Sequence, residues 1–133
     1  MRTMTLDAAA DNLPRVLAFA DEILEAAGCG PKAQMQIDLA VEEIFVNIAG
    51  YAYAPQTGTV EIAMEVEDGK AMIRFTDSGK PYDPLQRDDP DVTLSAEARQ
   101  IGGLGIFLTK KVMDSIDYRF ENSKNILTMF KTL

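Results

Sequence analysis

Two polar side chains interrupt the apolar stretch Ile37-Asp-Leu-Ala-Val-Glu-Glu-Ile-Phe-Val-Asn-Ile-Ala49 in a way that could do chemistry. Glu43 and Asn47 are four residues apart, so on a helix they stand one turn above the other. At about 100° per residue they fall on the shoulder of a stripe made by Ile37, Ala40, Val41, Ile44 and Ile48. A carboxylate and an amide beside a buried stripe need partners, because burying them unpaired costs several kcal/mol. One reading is an interhelical hydrogen bond or plain exposure. The other is a metal ion on Asn47 with Glu43 beside it as a base. Leu39 and Val46 make the far side apolar too, so much of this helix is expected to be covered.

Two further groups invite the same question. Asp77-Ser-Gly79 follows a strand pattern. The aspartate could accept a hydrogen bond from an exocyclic amine such as that of adenine, with Gly79 letting the base lie on the backbone, or it could close an Asx turn. Asp83 either braces that loop or caps Pro84. Gly102-Gly-Leu-Gly105 opens a helix. Free N–H groups and partial positive charge at a helix start suit phosphate, whereas tight packing explains the same glycines without a ligand.

The elements that must position these residues follow from patterning. Met4-Thr-Leu-Asp7 reads as a short edge strand. Asp11-Asn-Leu-Pro14 offers an N-cap and an early proline before a helix whose stripe is Val16, Leu17, Ala20, Ile23 and Leu24. That helix stops at Gly28-Cys-Gly-Pro31, and Pro31 suits the first turn of the next one. The second helix runs to near Gly50-Tyr-Ala-Tyr-Ala-Pro55. Val60, Ile62, Met64 and Val66 alternate with Glu61, Ala63, Glu65 and Glu67 as a half-buried strand, and Asp68-Gly69 signals a hairpin into Ala71–Thr76. Residues 85–100 carry little pattern, and a long loop inside a compact domain is usually functional, often a lid. A helix follows through Leu108, Val112 and Met113. A last hairpin pairs Asp117–Glu121 with Ile126–Lys131 around Asn122-Ser-Lys-Asn125. Antiparallel strand runs with helices between them predict an α+β two-layer sandwich, a mixed but mostly antiparallel sheet with helices on one face.

The totals narrow the functions. The 133 residues suit one domain, expected to span 1–133. A net charge of −8, from 21 acidic and 13 basic residues, argues against nucleic acid or an anionic membrane as partner. Local positive potential would still suffice for a nucleotide. The single cysteine, Cys29, admits no internal disulfide and sits in a turn as a small structural residue. No apolar run reaches membrane-spanning length and the start lacks a signal-peptide core, so a cytoplasmic location is expected. The absence of histidine removes imidazole bases, histidine phosphoacceptors and histidine-ligated metals.

Taken in order, Glu43 and Asn47 on a helix, Asp77-x-Gly79-x-x-x-Asp83 after a strand, and Gly102-Gly-Leu-Gly105 before a helix resemble the GHKL ATPase superfamily with its Bergerat ATP-binding fold. Within it, the chain is most similar to the anti-sigma-factor serine/threonine kinases of bacterial partner-switching systems. The likeness continues through Ile106-Phe-Leu-Thr-Lys-Lys-Val-Met-Asp114 and Lys124-Asn-Ile-Leu-Thr-Met129, and so runs from Ile37 to the end of the chain. The resemblance implies ATP and Mg²⁺, with Asn47 as metal ligand and Glu43 as the base for the attacking hydroxyl. Asp77, Gly79 and Asp83 would form the adenine side. Gly102, Gly103, Leu104 and Gly105 would form the phosphate side, and residues 85–100 the lid. Lys80, Arg99 and Lys110 are candidates for a cation near the γ-phosphate. The implied partners are a small anti-anti-sigma antagonist of the STAS type, a sigma factor or similar regulator, and a second copy of the chain. One departure stands out: where sporulation-type members often carry His-Gly shortly after the asparagine, this chain has Ile48-Ala-Gly-Tyr51. The alternative to a kinase is a module that binds ATP or ADP and a regulator without transferring phosphate.

Overall fold

The computed structural model describes residues 1–54, 56–86 and 103–133. Eight main elements follow one another: β1 (Arg2–Asp7), α1 (Leu13–Ala26), α2 (Pro31–Asn47), β2 (Thr59–Glu67), β3 (Lys70–Asp77), α3 (Gly103–Val112), β4 (Ser115–Glu121) and β5 (Lys124–Thr132). The strands form one sheet in the order β1-β2-β3-β5-β4, with β1 and β4 at its edges. Every pairing in it is antiparallel.

Strand periodicity decides which face is buried. Ala71, Ile73, Phe75 and Asp77 alternate inward along β3, and Asn125, Leu127 and Met129 do so along β5. The register sets Ile73 opposite Met129 and Phe75 opposite Leu127. Val16, Ala20, Ile23 and Leu24 of α1 and Ile37, Ala40, Val41, Ile44 and Phe45 of α2 fill the other half of the same core. The result is the expected two-layer α+β sandwich. One expectation fails: Leu39 and Val46 are 50% and 43% exposed. α2 lies between α1 and α3 with the sheet beneath it, so in a two-layer arrangement nothing among the described residues covers its outward side.

Local chemistry explains the helix boundaries. Gly28 takes φ +76° after α1. Gly28 N–H donates to Glu25 O and Cys29 N–H to Leu24 O, both at 3.0 Å, which is a Schellman ending. The Cys29 thiol packs against the core, and burial pushes its pKa up, as befits a structural residue. At the start of α1 the expected Asp11 cap is replaced by a short 3-10 turn, Ala10–Asn12, and the Asn12 amide donates back to Asp7 O at 2.9 Å. α2 does not run on as an α-helix to Gly50: it ends at Asn47 and widens into a π-helical turn, Ile48–Ala52.

Both hairpins use two residues in the left-handed region. Asp68 and Gly69 join β2 to β3, and Asn122 and Ser123 join β4 to β5. The second turn is tighter than the four-residue loop expected, so Lys124 and Asn125 belong to β5. At the end of the chain, Lys131 Nζ donates to Val112 O at 2.6 Å and Thr132 N–H to Asp114 Oδ2 at 2.6 Å, tying β5 to the end of α3. The bond from Thr132 holds the Asp114 carboxyl below its ordinary range.

Candidate functional site

A cluster of polar side chains forms where the end of α2, the tip of β3 and the start of β5 meet. Asp77 stands directly opposite Asn125 in the ladder, and both are 6% exposed. Asp77 Oδ1 accepts from Gly79 N–H at 2.9 Å and from Asn125 Nδ2 at 3.0 Å. The first of these bonds is the Asx turn that the sequence allowed. Asn125 Nδ2 also donates to Lys80 O at 2.9 Å. Its Oδ1 accepts from Tyr82 N–H at 3.2 Å and from the Tyr118 hydroxyl. One amide thus ties β3, the loop after it and β4 together. Burial pushes the Tyr118 phenol above its ordinary value; the Asp83 and Asp77 carboxylates add to the rise, against a bond from Tyr82 N–H.

Beside this network lies a cavity of about 450 Å³, counting the part open to solvent. Its closed volume is only about 40 Å³, below the usual range for small-molecule sites. Ile44, Asn47, Phe75, Asp77, Asn125 and Leu127 are among its lining residues. Its walls are mostly apolar, with a few polar groups converging. Tyr51 and Tyr82 line its solvent side, their ring centroids 6.4 Å apart and their planes tilted by 35°.

Within α2, Glu43 and Asn47 bond to each other. Asn47 is buried, and its Nδ2 donates to Glu43 O at 2.9 Å and to Glu43 Oε1 at 3.0 Å. With the nitrogen engaged on Glu43, the amide oxygen is what Asn47 retains for a ligand. An oxygen donor of this kind fits Mg²⁺, which takes oxygen ligands and few of them from protein. The widened turn begins at the next residue, a feature common at functional positions.

The neighbouring loop is braced twice. Lys80 N–H donates to Ala52 O at 2.8 Å. A Cβ on Gly79 would come within 2.3 Å of that same Ala52 oxygen, so the missing side chain of Gly79 admits the backbone of the π-helical turn. Tyr53 pins the other side: its hydroxyl donates to Thr59 O at 2.6 Å and accepts from Ser78 N–H at 2.8 Å. Asp83 Oδ1 accepts from Leu85 N–H at 2.8 Å and so caps the short turn Pro84–Gln86.

Of the remaining candidates, Gly103, Leu104 and Gly105 fall in the first turn of α3, a helix packed against α2. Gly102, Arg99 and the lid stretch beyond Gln86 lie outside the described residues. Lys80 lines the cavity. Lys110 is in the last turn of α3, about 10 Å along the axis from Gly103 and about 7.5 Å from Gly105. Asn125 is the site residue that sequence reasoning misses. The signal is the Asn122-Ser123 pair, which permits a two-residue hairpin and so brings Asn125 into the ladder.

The comparisons with known proteins bear on the same arrangement. The family model for the histidine kinase-like ATPase domain matches residues 6–131. The chain belongs to that family. It is 26% identical over 110 residues to serine-protein kinase RsbW of Listeria monocytogenes, covering 79% of this chain and 70% of that protein. It is 23% identical over 128 residues to serine/threonine-protein kinase BtrW of Bordetella bronchiseptica, covering 96% and 90%. In three dimensions it is similar to the RsbU and RsbW domains of Rv1364c from Mycobacterium tuberculosis. That likeness has a TM-score of 0.66 at 16% identity and covers all of this chain but 33% of the other, so it bears on the fold alone. Among the described residues, no helix is long and apolar enough to cross a membrane.

Proposed function

We propose that residues 1–133 form a single ATP-dependent serine/threonine protein kinase domain that acts as an anti-sigma regulatory factor. It phosphorylates a small anti-anti-sigma antagonist and otherwise sequesters a sigma factor or similar regulator. What carries the reading is Asp77: a buried carboxylate with Oδ1 engaged by Gly79 and Asn125, lining the same cavity as Asn47. In this reading Asp77 accepts the adenine amine, and Gly79 and Asp83 hold the loop beneath the base. Gly102, Gly103, Leu104 and Gly105 supply phosphate contacts, and residues 85–100 close as the lid. Asn47 Oδ1 would ligate Mg²⁺, which neutralises phosphate charge when bound.

Glu43 is the base. It takes the proton as the antagonist's serine or threonine oxygen bonds to the γ-phosphorus and the bond to ADP breaks. The protein's contribution is position and charge. Names of relatives support the assignment, since RsbW and BtrW are called serine and serine/threonine kinases.

Incubation with labelled ATP and the cognate antagonist tests the proposal. Label is expected on an antagonist serine or threonine. Glu43→Ala should lower the rate of transfer by about 10²–10⁴-fold while ATP still binds. A folded, ATP-bound protein that transfers nothing would leave only the binding-module reading, in which Glu43→Ala leaves regulation intact.

A further inference from the structure

Away from the cavity, two aspartates meet at the packed interface of α1 and α2. Asp21 comes from α1 and Asp38 from α2. Oδ1 of each is sealed from solvent, and no donor among the described residues reaches either oxygen. Buried acceptors are nearly always satisfied, so a pair left this way needs an explanation. The neighbouring groups do not compensate the charge. Glu25 of α1 adds its negative field to that of Asp21 at the Asp38 carboxyl. Gln34 of α2 spends its amide on Glu25, at 3.3 Å. Glu42 shares with Asp38 and Gln34 the shallow groove between the helices. Arg2 of β1 is paired instead with Glu22, at 3.5 Å. The nearby Cys29 thiol, in the turn joining the helices, itself feels the Asp38 charge.

We infer that Asp21 and Asp38 share one proton across the α1–α2 interface, and that ionisation of the pair weakens the seating of α1 on α2. Two carboxylates without a donor repel; with one proton between them, one donates and the other accepts. Burial first, then the hydrogen bond and charge of Asp21, then Glu25, push Asp38 up to about 7. The raised value gives the sign. Between the ordinary value of 3.8 and about 7 the folded protein keeps a proton that the unfolded chain has released. Stability from this pair is therefore complete below the lower value, falls as pH rises through the window, and levels off above it. α2 also carries Glu43 and Asn47, so the proton sits on the helix that bears the site.

The test is urea unfolding of the wild type and Asp38→Asn from pH 5 to pH 8. Asparagine keeps the shape and supplies the donor permanently. Relative to Asp38→Asn, the folding constant of the wild type should fall with rising pH, by at most about tenfold per unit for one proton, and flatten above pH 7. A ratio that stays constant over the range overturns the inference. Carboxyl carbon NMR of the wild type is an independent measurement should Asp38→Asn fold poorly. A midpoint near neutrality for the Asp38 resonance supports the shared proton, and one below about pH 5 refutes it.

Discussion

Asp77 and Asp38 are both carboxylates that face a side chain on a neighbouring element, yet the protein treats them in opposite ways. Asp77 at the tip of β3 is met by an amide and a backbone N–H, and the amide is itself held by Tyr118, Tyr82 and Lys80. Asp38 on α2 is met by another acid, and its inner oxygen receives no donor among the described residues. A low-dielectric surrounding strengthens whichever interactions are present and penalises whichever are missing. Donors satisfy Asp77 in a buried position, where the proposed function uses it to select a ligand. Want of donors makes Asp38 a proton carrier. In the proposed function the same residue type becomes a recognition group in one region, and in the inferred proton sharing a titrating joint in the other.

The contrast can be broken most forcefully at Asn125. Asn125→Leu would strip a donor from Asp77 Oδ1 and partners from Tyr118, Tyr82 N–H and Lys80 O at one stroke. A loss of about 2–4 kcal/mol in urea unfolding is expected, since several buried groups are left unpaired. A smaller effect on stability and a larger one on ligand are expected from Asp77→Asn. Hydrogen bonds to a charged acceptor are worth about 1.5–3 kcal/mol, so calorimetry should show ATP affinity falling roughly 10- to 100-fold. Tyr118→Phe removes one hydroxyl and should cost about 1 kcal/mol. A double-mutant cycle with an Asn125 variant should return a non-zero coupling, because the two share a bond. The smallest effect belongs to the outward side of α2. Leu39→Ser should stay within about 0.5 kcal/mol of the wild type at every pH, unlike substitutions at Asp38 one residue earlier.

Much of this arrangement is legible in the sequence. The 3.6-residue stripes of the helices, the alternation in Val60–Val66 and the Asp68-Gly69 turn lead to the right elements in the right order. The groups that line the cavity from α2 and β3, Asn47 and Asp77, both stand out by type and spacing. What patterning misses has identifiable causes. Asn125 reads as part of a loop because asparagine next to lysine suits a turn, whereas Asn122 and Ser123 both adopt positive φ and close the hairpin early. Leu39 and Val46 are expected to be covered because an apolar side chain does not announce whether a third layer exists. The Asp21–Asp38 meeting is a matter of how two helices face each other, and no periodicity within one helix carries that information. Gly79 suggests the ligand it could admit, and the folded chain adds the Ala52 backbone it must admit.

Lys131 carries a last consequence. Its ammonium sits on the final carbonyl of α3, with Lys110 and Lys111 in the same last turn. Cations there offset the negative pole of the helix macrodipole, while the glycine-bearing first turn contains no acidic side chain to offset the positive one. The element is thereby electrically lopsided, and its residual attraction for anions points out of the end where Gly103 and Gly105 lie.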